Sequence, residues 1–465
     1  MSSDTERRLR AALQASADLI TDPADPADDQ PAAGGPAPGG RSGARRPRYR
    51  RWVAPTLAAA AVAVIAVGSA VIVRAVNTGH SAPVSRQSPA PSPAPAPTSP
   101  AGQQPLAGPQ VVDAGLLGAG RGYVRTQHAL LWTSDLGRSW HNITPPGLRP
   151  AQLQSAGIAV LPDGRAWIAI APGPGRSAVT VLGRSPATGA WTSTHIPLGA
   201  LSIPAGGAAT TSLSFTDASH GWLLVSAQIT HTGSAELLRT TDGGATWTRP
   251  GGAGALPGAG TLDFISPALG YLDADSATGS SGWWVTRDAG RSWAQLRLPA
   301  PAARKSDSVS IIGSPALAGG AVVLAASFTA PGQGRPDGAG LYRSTDLGAT
   351  WTVRPLASAT PAGPYSFAAA PDGSAYVLLG DQPARDLQSF TWVTSRSTDG
   401  GRSFTDTTSV HRFFPGPVTL AGPGVLWTIA GSDGCQGLKT DCWSTTGLVA
   451  STDGGATWHQ VRLPS

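Results

Sequence analysis

One eight-residue pattern returns six times between residues 133 and 458, and it restricts what this chain can fold into more than any other feature. It reads Ser or Thr, any residue, Asp, any residue, Gly, any residue, Ser or Thr, then Trp or Phe. The copies begin at Thr133, Thr240, Thr286, Ser344, Ser397 and Ser451, and their acids are Asp135, Asp242, Asp288, Asp346, Asp399 and Asp453. A seventh copy, Ser185 to Trp191, is one residue short and lacks the Asp. Successive starts lie 46 to 58 residues apart. A period of that size marks one supersecondary unit stacked against copies of itself.

Each unit surrounds its pattern with short extended segments. In the third, Leu213 to Asp217 and Gly221 to Val225 read as two strands, Glu236 to Arg239 lead into the pattern, and Thr246 to Thr248 leave it. The fourth repeats the arrangement with Phe264, Gly270-Tyr271-Leu272 and Gly282-Trp283-Trp284-Val285. With 59 Gly, 15 Trp and only 13% charged residues, the chain lacks the composition of a coiled coil or a long helical bundle. Residues 111–465 divide into seven units of about 51 residues, each with four short strands. The expected fold is all-β, a seven-bladed β-propeller.

The repeated pattern resembles the Asp box, or BNR repeat, of sialidases, xyloglucanases, sortilin-type receptors and the photosystem II assembly factor. The resemblance covers residues 111–465 and extends to Phe215-x-Asp217-x-x-x-Gly221-Trp222, a pattern frequent in assembly-factor repeats. Within each box the carboxylate and hydroxyls are expected to bond backbone N–H groups of a tight turn. The Gly takes a positive φ, and the final aromatic ring packs into the blade. One Asp per blade spreads these acids around the ring, too far apart for an acid/base pair, so all six are read as structural.

Chemistry must come from elsewhere. The sialidase motif that supplies an arginine has only a partial echo, Leu201-Ser202-Ile203-Pro204, without the Arg and in the wrong repeat. The propeller contains a single Glu, Glu236. No metal-binding His pair, P-loop, dinucleotide loop or Gly-x-Ser-x-Gly elbow occurs, and Asp273-Ala274-Asp275 lacks the rest of a calcium loop. No cofactor, metal or catalytic residue is therefore assigned. Cys435 and Cys442, the only cysteines, are expected to form a disulfide outside the membrane.

The formal charge of +6 does not point to nucleic acid, because the surplus is local. Six Arg and no acid lie in residues 31–51, whereas residues 111–465 hold 23 bases against 21 acids. Immediately after the Arg cluster come 22 uncharged residues, Trp52 to Val73, long enough to cross a bilayer. The positive-inside rule places residues 1–51 in the cytoplasm as a short helix and a disordered basic segment. Residues 74–110, rich in Pro, form an extracytoplasmic stalk, and the propeller lies outside the membrane.

Long connections opposite the boxes are the expected recognition surface. They carry His231, Arg335, Asp337 and Arg385, and also Asp386, Lys439 and Asp441. The leading expectation is a single-pass, non-catalytic scaffold that binds an extracytoplasmic protein or a glycan. The rival is a glycoside hydrolase that draws a carboxylate pair from outside the boxes, with Asp217, Asp263 and Asp307 as the candidates.

Overall fold

The computed structural model describes residues 106–464, apart from 119, 200, 202, 204–206, 229–233, 252–255, 277–280, 335, 357–365, 384–389 and 437–440. The expected cytoplasmic segment, membrane helix and nearly all of the stalk lie outside the described residues. Among the described residues no helix is long and apolar enough to cross a membrane.

Seven antiparallel sheets follow one another, each a meander of consecutive strands. Blade one runs from Val111 to Asn142, blade two from Gly157 to Pro197 and blade three from Ala208 to Thr248. Blade four spans Gly258 to Gln295, blade five Ser308 to Pro355, blade six Ser366 to His411 and blade seven Phe414 to Gln460. Every blade comes from one sequence repeat. Six have four strands; in blade three the fourth shrinks to a single bridge between Arg239 and Thr248. The expected strands of blade three appear as Ala208–Phe215, Gly221–Gln228 and Ser234–Thr240. A helix at Pro150–Ser155, which the sequence reading did not anticipate, is held by Arg125, whose Nη1 donates to the carbonyls of Leu153, Gln154 and Ala156.

Alternating side chains of each strand face the two neighbouring blades, so both faces of a blade are apolar. The strand Ala321–Thr329 is buried at every position except the last. The first strands of the blades form the inner ring, where neighbours are stitched by hydroxyls. Ser212 and Ser214 accept from the N–H groups of Leu262 and Phe264, each at 2.9 Å. Thr211 does the same for Gly157, and Ser366 for Val418. Thr419 accepts from Leu116 and so joins blade seven to blade one. A hydroxyl at these positions satisfies backbone donors that have no strand partner.

Aromatic rings fill the gaps between blades. Phe215 stacks on Trp167 of blade two at 3.6 Å, and its other face lies against Gly221. A Cβ at Gly221 would come 2.4 Å from the Phe215 ring. The same close approach joins Gly270 to Phe264, which stacks on Trp222 at 3.8 Å. Phe215 has no free space to retreat into, so Gly221→Ala is expected to cost about 3 kcal/mol of stability by overpacking, read from denaturant unfolding.

The ring closes without strand exchange. Residues 106–111 cross blade seven as a strap: the Leu106 N–H donates to Thr445 Oγ1 at 2.9 Å, and Thr446 Oγ1 donates to the Val111 carbonyl at 2.6 Å. Gln460 Nε2 also donates to the Ala107 carbonyl at 2.6 Å.

Candidate functional site

The six boxes share one network. Thr133 Oγ1 donates to Asp135 Oδ1 at 2.7 Å and accepts from Gly137 N–H at 3.0 Å, while Ser139 donates through both N–H and Oγ to the same carboxylate. Corresponding bonds hold Asp242, Asp288, Asp346, Asp399 and Asp453. The Gly residues at the turn have positive φ as expected, and so do Leu136, Ala289 and Leu347 just before them. In blade two, which lacks the Asp, backbone bonds from Ser185 and Gly189 close the loop instead.

These carboxylates are fully engaged and strongly acidic. The Ser139 hydroxyl, then its N–H and the Thr133 hydroxyl, hold Asp135 at about 2, and the Thr246 hydroxyl leads the same effect on Asp242. Ionised carboxylates with depressed pKa stabilise the fold above the unfolded value near 4, and that stability is lost as pH falls towards about 2. The thermal midpoint is accordingly expected to hold at pH 5 and to fall steeply between pH 4 and 2. A midpoint unchanged at pH 2 would contradict this assignment.

The three aspartates considered as an acid/base pair go separate ways. Asp217 caps its own turn, accepting from the N–H groups of Ser219 and His220 and pairing with the His220 ring at 2.9 Å. Asp307, opposite the boxes, pairs with Arg304 Nη1 at 2.9 Å. The same nitrogen binds Asp337 at 2.7 Å, and the guanidinium lies over the Phe328 ring. These two carboxylates are close to each other, but Arg304 fills the space between them where a substrate atom would have to sit.

Asp263 is different. It stands next to the end of blade four's first strand, beside the turn that shares its face with the boxes. Half-buried there, it bonds Ser314 of blade five. Burial raises its carboxyl to about 6, against the smaller opposing pull of the Ser314 hydroxyl. Across the strand pair lies Tyr271, fully buried, whose hydroxyl is near enough to feel the Asp263 charge and has no hydrogen-bond partner. Arg287 closes this side by donating Nε to the Leu347 carbonyl at 3.0 Å and Nη2 to the Gly348 carbonyl. A carboxyl that titrates near 6 holds its proton below that pH and is able to act as a general acid there, while the buried Tyr271 phenol stays out of reach of solvent.

Of the expected recognition residues, His231, Arg335, Arg385, Asp386 and Lys439 lie outside the described residues, as does the side chain of Asp441. Asp337 is described and is held by Arg304. The side chains of Cys435 and Cys442 are likewise outside the description, although the backbone register sets the two residues directly opposite each other. Glu236 is buried, with both oxygens accepting from the Gly199 N–H and one pairing with Arg249. Among the described residues no group of three or more His, Cys, Asp or Glu is arranged to hold a metal ion. Sequence reasoning missed Arg304, Arg287 and Tyr271 as partners of the candidate acids, since only the folded ring brings them together.

Fold and site together define an all-β, seven-bladed propeller with a protonatable carboxyl near its inner ring. No protein-family model matches the chain. Among curated proteins it is similar to a xyloglucanase of Paenibacillus sp., 28% identical over 248 residues, which is 48% of this chain but only 23% of that protein. Among solved structures, YCF48 bound to D1 peptide aligns at 14% identity and TM-score 0.35 over 78% of this chain and 88% of its own. An ancestral GH74 enzyme aligns at 13% and 0.37, covering 77% and 55%. The α-L-arabinanase of Penicillium chrysogenum complexed with arabinobiose aligns at 13% and 0.33, covering 66% and 95%. The xyloglucanase match corrects the expectation of a non-catalytic scaffold: the curated relative is an enzyme of polysaccharide breakdown. The scaffold expectation rested on the absence of a familiar catalytic motif, and such an absence does not exclude an enzyme.

Proposed function

We propose that the propeller acts on polysaccharide as a glycoside hydrolase, with Asp263 as the proton donor to the leaving glycosidic oxygen. The observation that carries this reading is the 248-residue similarity to a xyloglucanase. Asp263 adds to it, because among the described acids it alone combines a raised pKa with a neighbouring orphan hydroxyl. In the reaction the Asp263 proton passes to the departing glycosidic oxygen, water adds to the anomeric carbon and releases its proton to solvent, and solvent reprotonates Asp263. The test is incubation of the full chain with xyloglucan, arabinan and polygalacturonate, with reducing ends counted. Release that depends on Asp263 supports the reading; no release from any of the three overturns it.

The same proposal takes the repeats as Asp boxes of the BNR type. It places residues 52–73 as a single membrane anchor and the propeller outside the membrane, on the stalk of residues 74–110. The long loops opposite the boxes serve as a surface for holding the polymer. Cys435 and Cys442 would form a disulfide there, for which their opposed register is suited.

A further inference from the structure

On the box face, between blades five and six, lies a groove of about 430 Å³. Arg343 and Arg402 line its sides, with Tyr376 and Asp372, over a floor that includes Gly319 and Gly373. The residue just before the box is Arg in four blades: Arg184, Arg239, Arg343 and Arg396. Three of them are used within the fold. Arg184 donates to the Gly164 carbonyl at 2.9 Å, Arg239 covers the Trp222 ring at 5.7 Å, and Arg396 packs against Gly454. Arg343 is exposed into the groove, and its guanidinium has no hydrogen-bond or ion-pair partner among the described residues.

The other groups fit the same chemistry. The Arg402 guanidinium spends one nitrogen on the Asp399 carbonyl at 3.2 Å, and the Asp399 carboxylate is taken by Ser397, Ser403 and the Arg402 backbone N–H, with no ion pair to the guanidinium. Two guanidinium charges therefore face a single free acid, Asp372, itself bonded to the Ser374 N–H at 2.9 Å. Tyr376 pairs with Ser397, the first residue of its box, a register position that is Gly122, Gly221 or Gly270 in blades one, three and four. A ring thus stands where those blades have none, but it is buried among Ala318, Leu341 and Phe367 and closes the wall of the groove rather than projecting into it. The floor is deep because two turns meet without side chains: a Cβ on Gly373 would come within 3.0 Å of Gly319.

We propose that this groove is a subsite for a uronate unit of an acidic polysaccharide. Arg343 and Arg402 clasp the sugar carboxylate, and Asp372 accepts from a ring hydroxyl. Fork-like guanidinium pairing favours a carboxylate over a neutral hydroxyl. The proposal rests on the polysaccharide reading and narrows its substrate class.

The test is calorimetric titration of the full chain, in detergent, with trigalacturonate, with a neutral galactan oligosaccharide of equal length, and with an acidic tripeptide. Tighter binding of trigalacturonate than of either control, weakened at least about tenfold by Arg343→Gln and by Arg402→Gln but not by Arg354→Gln, an exposed arginine of blade five's last strand outside the groove, supports the proposal. Equal binding of the neutral oligosaccharide, tighter binding of the peptide, or unchanged affinity in both groove variants overturns it. Hydrolysis separates this from the parent reading: uronate binding with no cleavage keeps the subsite and removes the hydrolase, and cleavage of neutral polymer without uronate binding does the reverse.

Discussion

Trp222→Ala is expected to destabilise the propeller by about 4 kcal/mol, the middle of the range for removing a buried aromatic ring. Trp222 is fully buried, stacks on Phe264 of the next blade at 3.8 Å, and donates Nε1–H to the Ala289 carbonyl at 3.0 Å. That carbonyl belongs to the box turn of blade four, at a residue with positive φ. The indole therefore joins hydrophobic burial to the support of a strained turn, and its loss leaves both a cavity and an unpaired acceptor. Trp222→Phe separates the two: it keeps most of the stacked area but not the N–H, and should cost about 1–2 kcal/mol. Denaturant unfolding of the two variants gives the comparison. Equal costs would show that the hydrogen bond, not the ring, dominates.

Asp263→Asn is expected to lower hydrolysis by at least about a hundredfold, in line with loss of a general acid. The variant keeps the shape and a hydrogen-bonding group for Ser314 but has no proton to give. In the unmodified chain the rate should fall as pH rises through about 6, where the acid ionises. Stability follows the same direction. A carboxyl whose pKa is raised on folding contributes stability below its unfolded value near 4, and that contribution is lost as pH rises through about 6. The amount is on the order of 3 kcal/mol. Asp263→Asn should therefore have a flatter stability profile between pH 4 and 7 than the parent. A variant that is slower at every pH but shares the parent's profile would make Asp263 a structural residue only.

The repeats were legible because their chemistry is local. Every bond of the Thr133–Ser139 network lies within seven residues, so the spacing of the sequence already contains the turn. The same holds for Gly221 and Phe215, six residues apart and face to face in the fold. What the sequence could not display was the environment of single acids. Asp263 owes its raised pKa to burial against Ser314, 51 residues away in another blade. Asp307 and Asp337 were considered for different roles, and only the fold reveals that Arg304 joins them. Arg343 occupies the same place before its box as Arg184, Arg239 and Arg396, and only the fold distinguishes its unpaired guanidinium from theirs. Loop length is visible in a sequence, so the long connections opposite the boxes stand out there, whereas the groove on the box face is built from short turns.

The most direct measurement is the size distribution of xyloglucan and polygalacturonate, followed by size-exclusion chromatography, after incubation with the full chain at pH 5. The account predicts that at least one polymer shortens with time, and that Asp263→Asn leaves it intact while retaining a cooperative unfolding transition. Polymers of unchanged length after prolonged incubation with the folded parent protein would contradict the assignment of this propeller to polysaccharide cleavage.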